Sequence, residues 1–392
     1  MRILYSGDSP TVDTGFGTVS KNILNRLQKM GHEIIVLGVN HYGRPYDQKI
    51  YPYPIYPCDH GGPEQVFGFH KLWSIYETVK PDVVFFLNDP WLIKSYMDAK
   101  PDDTLSHTKY IAYFPTDSSP IKPEWAEVLN KMDAQIAYSH YAEDVITKAN
   151  QGKRPDNLHQ IYHGIDQKMY FPINQSVARA ELGLPQDAFI VGMVARNQYR
   201  KRFDVLAAGF TEFAKDKEDV KLYLHCSLND IGFDIMDLAK QFKIADKLIL
   251  TEDVTPERGV STRQMNFIYN SLDVNALISL GDGFGLPVAE SMATGCPQLV
   301  SNHSCLKELV DGHGGLTVET EAWLLNTNGI NTWGGLSSYK DVAKKLQVLY
   351  ENRELRIKLA EQAYNYITQE KFNWDFIANQ FNDVIKGVHH IL

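Results

Sequence analysis

Cysteine is scarce in this chain: four residues in 392, Cys58, Cys226, Cys296 and Cys305, with no C-x-x-C pair among them. Such scattered thiols offer neither a structural zinc site nor a disulfide framework. Cys58-Asp59-His60 is the one grouping of metal-capable side chains near a cysteine, and no bound metal is expected there. No apolar run reaches the roughly 18 residues that a membrane-spanning helix needs. The chain begins Met1-Arg2-Ile3-Leu4-Tyr5, which enters a strand directly and shows no signal peptide. Cytoplasmic residence is therefore the expectation, with at most peripheral membrane contact. Excess positive charge is also missing: the formal net charge is −9. Wholesale phosphate neutralisation on a duplex is disfavoured, so nucleic acid is not an expected partner. There is no internal repeat and no low-complexity tail.

What is present is ordinary for a globular protein: 44% hydrophobic and 22% charged residues. The length suits two domains rather than one core. In the first half, Arg2 to Ser6 reads as a buried strand, followed by a polar turn and Gly15-Phe16-Gly17. Val19, Ile23, Leu24, Leu27 and Met30 then recur at helical spacing, Gly31-His32 stops the helix, and Ile34 to Gly38 is a second strand. This is a βαβ unit with its Gly-rich loop at the carboxyl end of the first strand, where open parallel sheets bind ligands. A dinucleotide oxidoreductase would add a third glycine and an acid ending the second strand; both are lacking here, and that reading weakens.

Tyr51 to Pro57 alternates with prolines and reads as an extended surface loop. Val83–Leu87, Tyr110–Phe114 and Gln135–Ser139 read as further strands. They deliver Asn88, Asp89, Asp117 and His140 to one edge of the sheet, where these residue types suit a ligand contact and a helix cap equally.

The second half repeats the alternation. Ile190 to Ala195 reads as a strand that ends in Arg196, Arg200, Lys201 and Arg202, the densest basic cluster of an acidic chain. Four cations at a strand's carboxyl end before a helix suit a phosphate. Val274 to Leu280 reads as a buried strand running into Gly281-Asp282-Gly283-Phe284-Gly285-Leu286-Pro287-Val288-Ala289-Glu290, with a helix expected from about Ser291. Glycines allow close backbone approach, a helix start offers N–H groups to an anion, and the two carboxylates can accept bonds from hydroxyls. Hydroxyls plus diphosphate describe a nucleotide sugar. His313 to Ser338 has no period and reads as an irregular insertion. From Tyr339 the pattern is helical, ending in a helix with Phe376, Ile377, Phe381 and Ile385 expected on one apolar face.

On these residues the chain resembles glycosyltransferase family four, the glycosyl transferases group 1. Asp282 to Glu290 is similar to the family's E-x7-E signature, with Asp in the first position. Arg196 and Lys201 match its diphosphate-binding Arg and Lys, with Asp204 three further on. Gly15-Phe16-Gly17 resembles its N-terminal loop, His163-Gly164-Ile165-Asp166 its interdomain turn, and Phe372-Asn373-Trp374 the start of its closing helix. The His that many members carry near Tyr113-Phe114 is replaced at Pro115.

The resemblance implies an α/β GT-B fold: two Rossmann-like, doubly wound parallel-sheet domains facing across a cleft. The expected divisions are 1–170 on the acceptor side, a linker at 171–187, a nucleotide-sugar domain at 188–372, and a helix at 373–392 crossing back to the first domain. It implies a retaining, metal-independent transfer of a hexose-type sugar from a nucleotide-diphosphate donor, UDP- or GDP-linked, to an acceptor hydroxyl. The acceptor would be a glycan, a lipid-linked saccharide or a small molecule. No cofactor and no metal are implied. The catalytic set would be Arg196, Lys201, Asp282 and Asp117. The donor would be held by Gly15, Phe16, Gly17, Arg196, Lys201, Gly283, Phe284, Gly285, Leu286 and Glu290. Asn88, Asp89 and His163 are the acceptor-side candidates. The alternative is a non-catalytic nucleotide-sugar or glycan-binding protein of the same fold.

Overall fold

The computed structural model describes all residues except 229, 253, 256–258, 327–329, 331 and 390–392. Continuous apolar segments form strands buried on both faces, the pattern of parallel sheets whose crossovers cover each side. The chain divides into two compact units. The first comprises Met1–Thr116, Pro120–Gly164 and the chain from Lys371; the second comprises Asp117–Ser119 and Ile165–Glu370.

The first unit runs β1 (Arg2–Asp8), α1 (Gly15–Lys29), β2 (Glu33–Val39), β3 (Ile55–Pro57), α2 (Pro63–Phe67), α3 (Phe69–Val79), β4 (Val83–Leu87), α4 (Pro90–Asp98), β5 (Lys109–Phe114), α5 (Pro123–Asn130), β6 (Ala134–Ala137), α6 (His140–Ala149) and β7 (Leu158–Gln160). The strands form one sheet of order β3-β2-β1-β4-β5-β6-β7, with every pair parallel. Strand order reverses between β1 and β4, so the crevice of this doubly wound sheet opens at their carboxyl ends. The Tyr51–Pro57 segment, expected to be wholly a loop, ends in β3 at the sheet edge. Proline is tolerated there because the outer side of an edge strand needs no ladder donor.

The second unit runs α7 (Gln175–Glu181), β8 (Phe189–Val194), α8 (Phe203–Phe213), β9 (Val220–His225), α9 (Ile235–Gln241), β10 (Leu248–Leu250), α10 (Thr262–Ser271), β11 (Val274–Leu277), α11 (Leu286–Ala293), β12 (Gln298–Ser301), α12 (Ser304–Val310), β13 (Gly315–Val318), β14 (Thr320–Leu325), β15 (Trp333–Ser337), α13 (Tyr339–Glu351) and α14 (Arg353–Ile367). Its sheet has the order β10-β9-β8-β11-β12-β13, again all parallel. The switch point lies between β8 and β11, so residues 195–202 and 278–285 leave the sheet side by side.

The stretch 313–338, expected to be irregular, instead holds β13 and an antiparallel ribbon, β14 with β15. A ribbon of this kind has little helical or core periodicity, since one face is half-exposed. The middle of that stretch, 327–329 and 331, lies outside the described residues.

The chain ends in α15 (Trp374–His389), which packs against α1 and β5 within the first unit. Trp374, Ile377, Ala378, Phe381, Ile385 and Val388 form its buried stripe, and Phe381 stands over Phe85 and Tyr113. Phe376, expected on that stripe, is exposed, because it lies one residue, about 100° of helix rotation, away from Ile377. Residues 390–392 of the expected closing helix lie outside the described residues.

Candidate active site

The switch point of the second sheet gathers a buried cluster of charged side chains. Strand β8 ends at Val194, and the next turn carries Tyr199–Lys201 as one 3-10 turn before α8. Arg202 closes it in the left-handed region at φ 52°. That bend turns Lys201 inward, where its side chain is almost fully buried. From the neighbouring strand, β11 passes through buried Ile278, Ser279 and Leu280 to Gly281 and Asp282. The two segments are tied by backbone: Leu280 N donates to Arg200 O at 2.7 Å, and Ser279 Oγ donates to the same carbonyl at 3.2 Å. Lys201 Nζ then meets both Asp282 oxygens, at 2.6 and 2.8 Å, and Arg200 Nη1 reaches Asp282 Oδ1 at 3.3 Å and Gly281 O at 2.9 Å.

Burial and the adjacent Arg200 guanidinium push the Lys201 ammonium below its ordinary range, while Asp282 and Asp117 oppose that shift. Burial pushes Asp282 upward, but Lys201 and Arg200 overcome it and hold the carboxyl below its usual range. Asp282 is thus the counter-ion that keeps a buried lysine charged.

Gly281 must be glycine: a β-carbon there would stand 2.0 Å from the carbonyl oxygen of Asp117. This brings Asp117, one of the catalytic candidates read from the sequence, alongside the Asp282 loop through its backbone. The expected helix start at Ser291 is corrected: α11 begins at Leu286, with Gly285 as its cap at φ 90° and Pro287 in the first turn. Proline suits this position because the first helical N–H groups have no intrahelical partner. Glu290 therefore projects from a helix rather than from a loop.

Glu290 is the site's second carboxylate, and its environment is unlike that of Asp282. Tyr269 of α10 donates its hydroxyl to Glu290 Oε2 at 2.8 Å, and Tyr170 also hydrogen-bonds it. Burial pushes the carboxyl up to about 7, against the lowering effect of the two phenols. Two acids eight residues apart are therefore poised differently, one ionised by a lysine and one close to neutral pH.

The cations of the basic cluster are shared among several carboxylates. Each of its four cations meets a carboxylate: Arg200 and Lys201 meet Asp282, Arg202 meets Asp204, and Arg196 meets Asp230 at 2.8 and 3.1 Å in a two-pronged pair. Arg196 is half-exposed and faces Asp230, while Arg200 and Lys201 converge on the Asp282 loop.

In the first unit, Gly15-Phe16-Gly17 is not a free loop but the first turn of α1. Thr14 caps it, accepting from Gly17 N at 2.9 Å, and in turn donates to Asp8 Oδ2 at 2.5 Å. A β-carbon at Gly17 would stand 2.3 Å from Val12 O, so the turn requires glycine. Phe16 meets Tyr138 edge-on at 6.3 Å. Asn88 is buried and donates to Ser6 O at 2.9 Å, and Asp89 caps α4 through its backbone only. His163 is a core residue: it is 2% exposed, its Nδ1 lies 2.6 Å from the Tyr113 hydroxyl, and burial pushes it down to about 3. His163, an acceptor-side candidate from the sequence, thus lies in the core of the first unit. His140, the first residue of α6, is exposed and pairs with Glu143.

Three participants were not singled out from sequence. Tyr170 falls at the edge of the expected linker, Tyr269 in a helical stretch, and Ser304, whose Oγ accepts from Asp282 N at 3.2 Å, sits at φ 57° at the start of α12. A buried tyrosine pair around one carboxylate has no sequence signature, since one phenol precedes the second sheet and the other lies on a helix within it. Among the described residues no group of three or more His, Cys, Asp or Glu is placed to hold a metal, and no helix is long and apolar enough to cross a membrane. The four cysteines are buried.

Residues 174–366 match the family model described as Glycosyl transferases group 1, and residues 14–168 match that of Glycosyltransferase Family 4. Among curated proteins, the chain is 27% identical over 271 residues to D-inositol 3-phosphate glycosyltransferase of Nocardia farcinica, covering 66% of this chain and 58% of that one. It is 30% identical over 146 residues to the protein of the same name from Segniliparus rotundus, covering 36% and 31%. The matches thus span less than two thirds of these relatives. Among solved structures, sucrose-phosphate synthase (tll1590) from Thermosynechococcus elongatus superposes with a TM-score of 0.78 at 16% identity, over 99% of this chain and 98% of that one. Anabaena Alr3699/HepE in complex with UDP and glucose gives 0.72 at 15%, over 99% and 100%. WaaG, a glycosyltransferase involved in lipopolysaccharide biosynthesis, gives 0.74 at 11%, over 99% and 100%. At these identities the structures share the fold alone.

Proposed function

We propose, from the premise that this chain belongs to the glycosyl transferases group 1 of GT-B fold, that it moves a sugar from a nucleotide-diphosphate donor to an acceptor hydroxyl with retention and without a metal. The observation that carries this reading is the Lys201–Arg200–Asp282 cluster at the switch point of the second sheet.

Breaking the bond between the sugar's anomeric carbon and the phosphate oxygen puts negative charge on the leaving diphosphate. Lys201 and Arg200 are fixed cations for that charge, already oriented by Asp282, and such preorganised electrostatics commonly supply the largest part of a rate enhancement. Lys201 has three N–H donors. With its ammonium anchored on Asp282 it is restrained to one orientation, so little reorganisation accompanies bond breaking. The first N–H groups of α11 beyond Gly285 add a positive dipole end to the same region.

Glu290 accepts the ribose hydroxyls of the donor, for which an ionised carboxylate is the better acceptor. The Gly283–Leu286 backbone holds the sugar. In front-face transfer the acceptor oxygen attacks as the phosphate leaves, and its proton passes to the leaving phosphate oxygen. The sugar–phosphate bond is replaced by a sugar–oxygen bond, and no protein nucleophile enters. Arg196, held by Asp230, contributes more distantly. The curated relatives carry D-inositol 3-phosphate in their name, and one structural neighbour was solved with UDP and glucose. UDP and GDP are the first donors to try.

A thermal-shift panel of nucleoside diphosphates and their sugars, with and without magnesium, tests the reading. A specific ligand raises Tm by mass action. The expected result is a rise with one base that persists in EDTA. A rise seen only with magnesium contradicts metal independence, and no rise with any nucleotide contradicts the donor assignment.

A further inference from the structure

We propose that the β14–β15 ribbon and His303 form a saccharide-binding face next to the Asp282 loop, a subsite distinct from the nucleotide and diphosphate contacts. The proposal rests on the transferase reading, and the experiment below separates the two.

The ribbon is grafted onto the site. Gly335 N donates to Leu280 O at 2.9 Å, one residue before Gly281. A β-carbon at Gly334 would stand 2.7 Å from Leu280 Cβ, and one at Gly335 would stand 2.8 Å from His303 Nε2, so the two glycines let the ribbon press against both residues. The register places Trp323 opposite Gly335 and Leu325 opposite Trp333. Directly opposed residues share a face. Trp323, Leu325 and Trp333 therefore lie together, and they are 53%, 49% and 43% exposed. Three large apolar side chains on one short ribbon are a patch, not scattered surface residues.

His303 joins that face to the active site. Its ring lies 5.6 Å from that of Trp323, and the next residue, Ser304, accepts from Asp282 N. His303 is 7% exposed, and the Gly335 and Ser279 backbone offers its ring long hydrogen bonds. Neither ring nitrogen, however, closes a hydrogen bond of good geometry among the described residues. Buried ring nitrogens whose backbone bonds are poorly formed are costly, so a ligand that supplies a hydroxyl would complete them.

The occupant must combine apolar faces for indole rings with hydroxyls for an imidazole. A pyranose does both: its axial C–H groups pack on the electron-rich face of an aromatic ring, and its hydroxyls donate or accept at the edge. An anionic membrane surface is the other occupant that tryptophans suit. The charge of the ribbon argues against it: residues 313–338 hold Glu319 and Glu321 and no lysine or arginine. Interfacial segments that bind anionic lipid rely on basic side chains.

Tryptophan fluorescence titrations of the full chain with maltohexaose, cellohexaose and mannohexaose, run beside phosphatidylcholine vesicles containing phosphatidylglycerol, test the proposal. Saturable binding of at least one oligosaccharide is expected, weakened about tenfold or more in Trp323→Ala and in His303→Ala. Trp323→Phe should retain most of it. The nucleotide-induced rise in Tm should be unchanged in all three, which also shows that they fold. Binding of none of the sugars, equal binding by Trp323→Ala, or binding of vesicles in place of sugars would overturn the proposal. Absence of the nucleotide response in the unmodified chain would instead strike the transferase reading.

Discussion

Replacing Lys201 with alanine is expected to cut sugar transfer by about two orders of magnitude or more, the scale seen when one preorganised charge-stabilising donor is removed from an active site. The loss should fall on kcat, because the charge that Lys201 meets grows only as the sugar–phosphate bond breaks. Stability should fall as well. Lys201 makes both short contacts to the buried Asp282 carboxylate, and Arg200 reaches it at only one oxygen. Removing one partner of a buried ion pair typically costs about 3–5 kcal/mol. The two effects separate in the double variant Lys201→Ala/Asp282→Asn, which removes the stranded charge. Its Tm should recover toward that of the unmodified protein while transfer stays low. Steady-state kinetics and thermal unfolding of the three proteins check this, and near-normal turnover by Lys201→Ala would rule out the assignment.

Substituting Glu290 by glutamine should weaken the donor nucleotide by about tenfold to a hundredfold, the range for losing a hydrogen bond to a charged group. The same change should stabilise the free protein at alkaline pH. The folded-state pKa of Glu290 is raised to about 7 from an ordinary carboxylate value. Between those two values the folded state binds more protons than the unfolded state. This group's contribution to stability is therefore fully present at acidic pH and is lost as pH rises through about 7. Glutamine keeps an acceptor for the Tyr269 hydroxyl without the ionisation cost. The gain in Tm over the unmodified protein should be small at pH 5 and larger at pH 8. A gain that is the same at both would show that Glu290 does not titrate in this window. Nucleotide titrations followed by calorimetry give the affinity.

Glu290 also shows what sequence can and cannot carry. The glycines and the spacing from Asp282 to Glu290 mark a ligand loop, and alternating apolar strands and amphipathic helices mark two parallel-sheet halves; both features are local. The Tyr170 and Tyr269 phenols that set the state of Glu290 come from a connecting segment and a helix, and only the fold brings them together. The basic cluster was legible as charge, but its sorting onto Asp282, Asp204 and Asp230 depends on the left-handed bend at Arg202 and on a carboxylate 34 positions from Arg196. The buried state of His163 was equally hidden: its Gly and Asp neighbours look like a turn, while the aromatic packing of Tyr113 and Tyr138 around its ring is made at long range. The ribbon at 320–337 was missed because a short antiparallel pair rich in glycine and tryptophan has no helical period and too few residues for a clear alternation.

The measurement that tests the central claim most directly is the pH dependence of kcat/KM in the unmodified protein and in Asp282→Asn. The account holds that a buried, charged Lys201 stabilises the leaving diphosphate and that Asp282 keeps it charged. Activity should rise through about pH 7 as Glu290 ionises, then fall at a pH below the ordinary lysine range as Lys201 loses its proton. Removing the Asp282 charge should move that alkaline fall to lower pH. An alkaline limb that stays in place in Asp282→Asn would contradict the account.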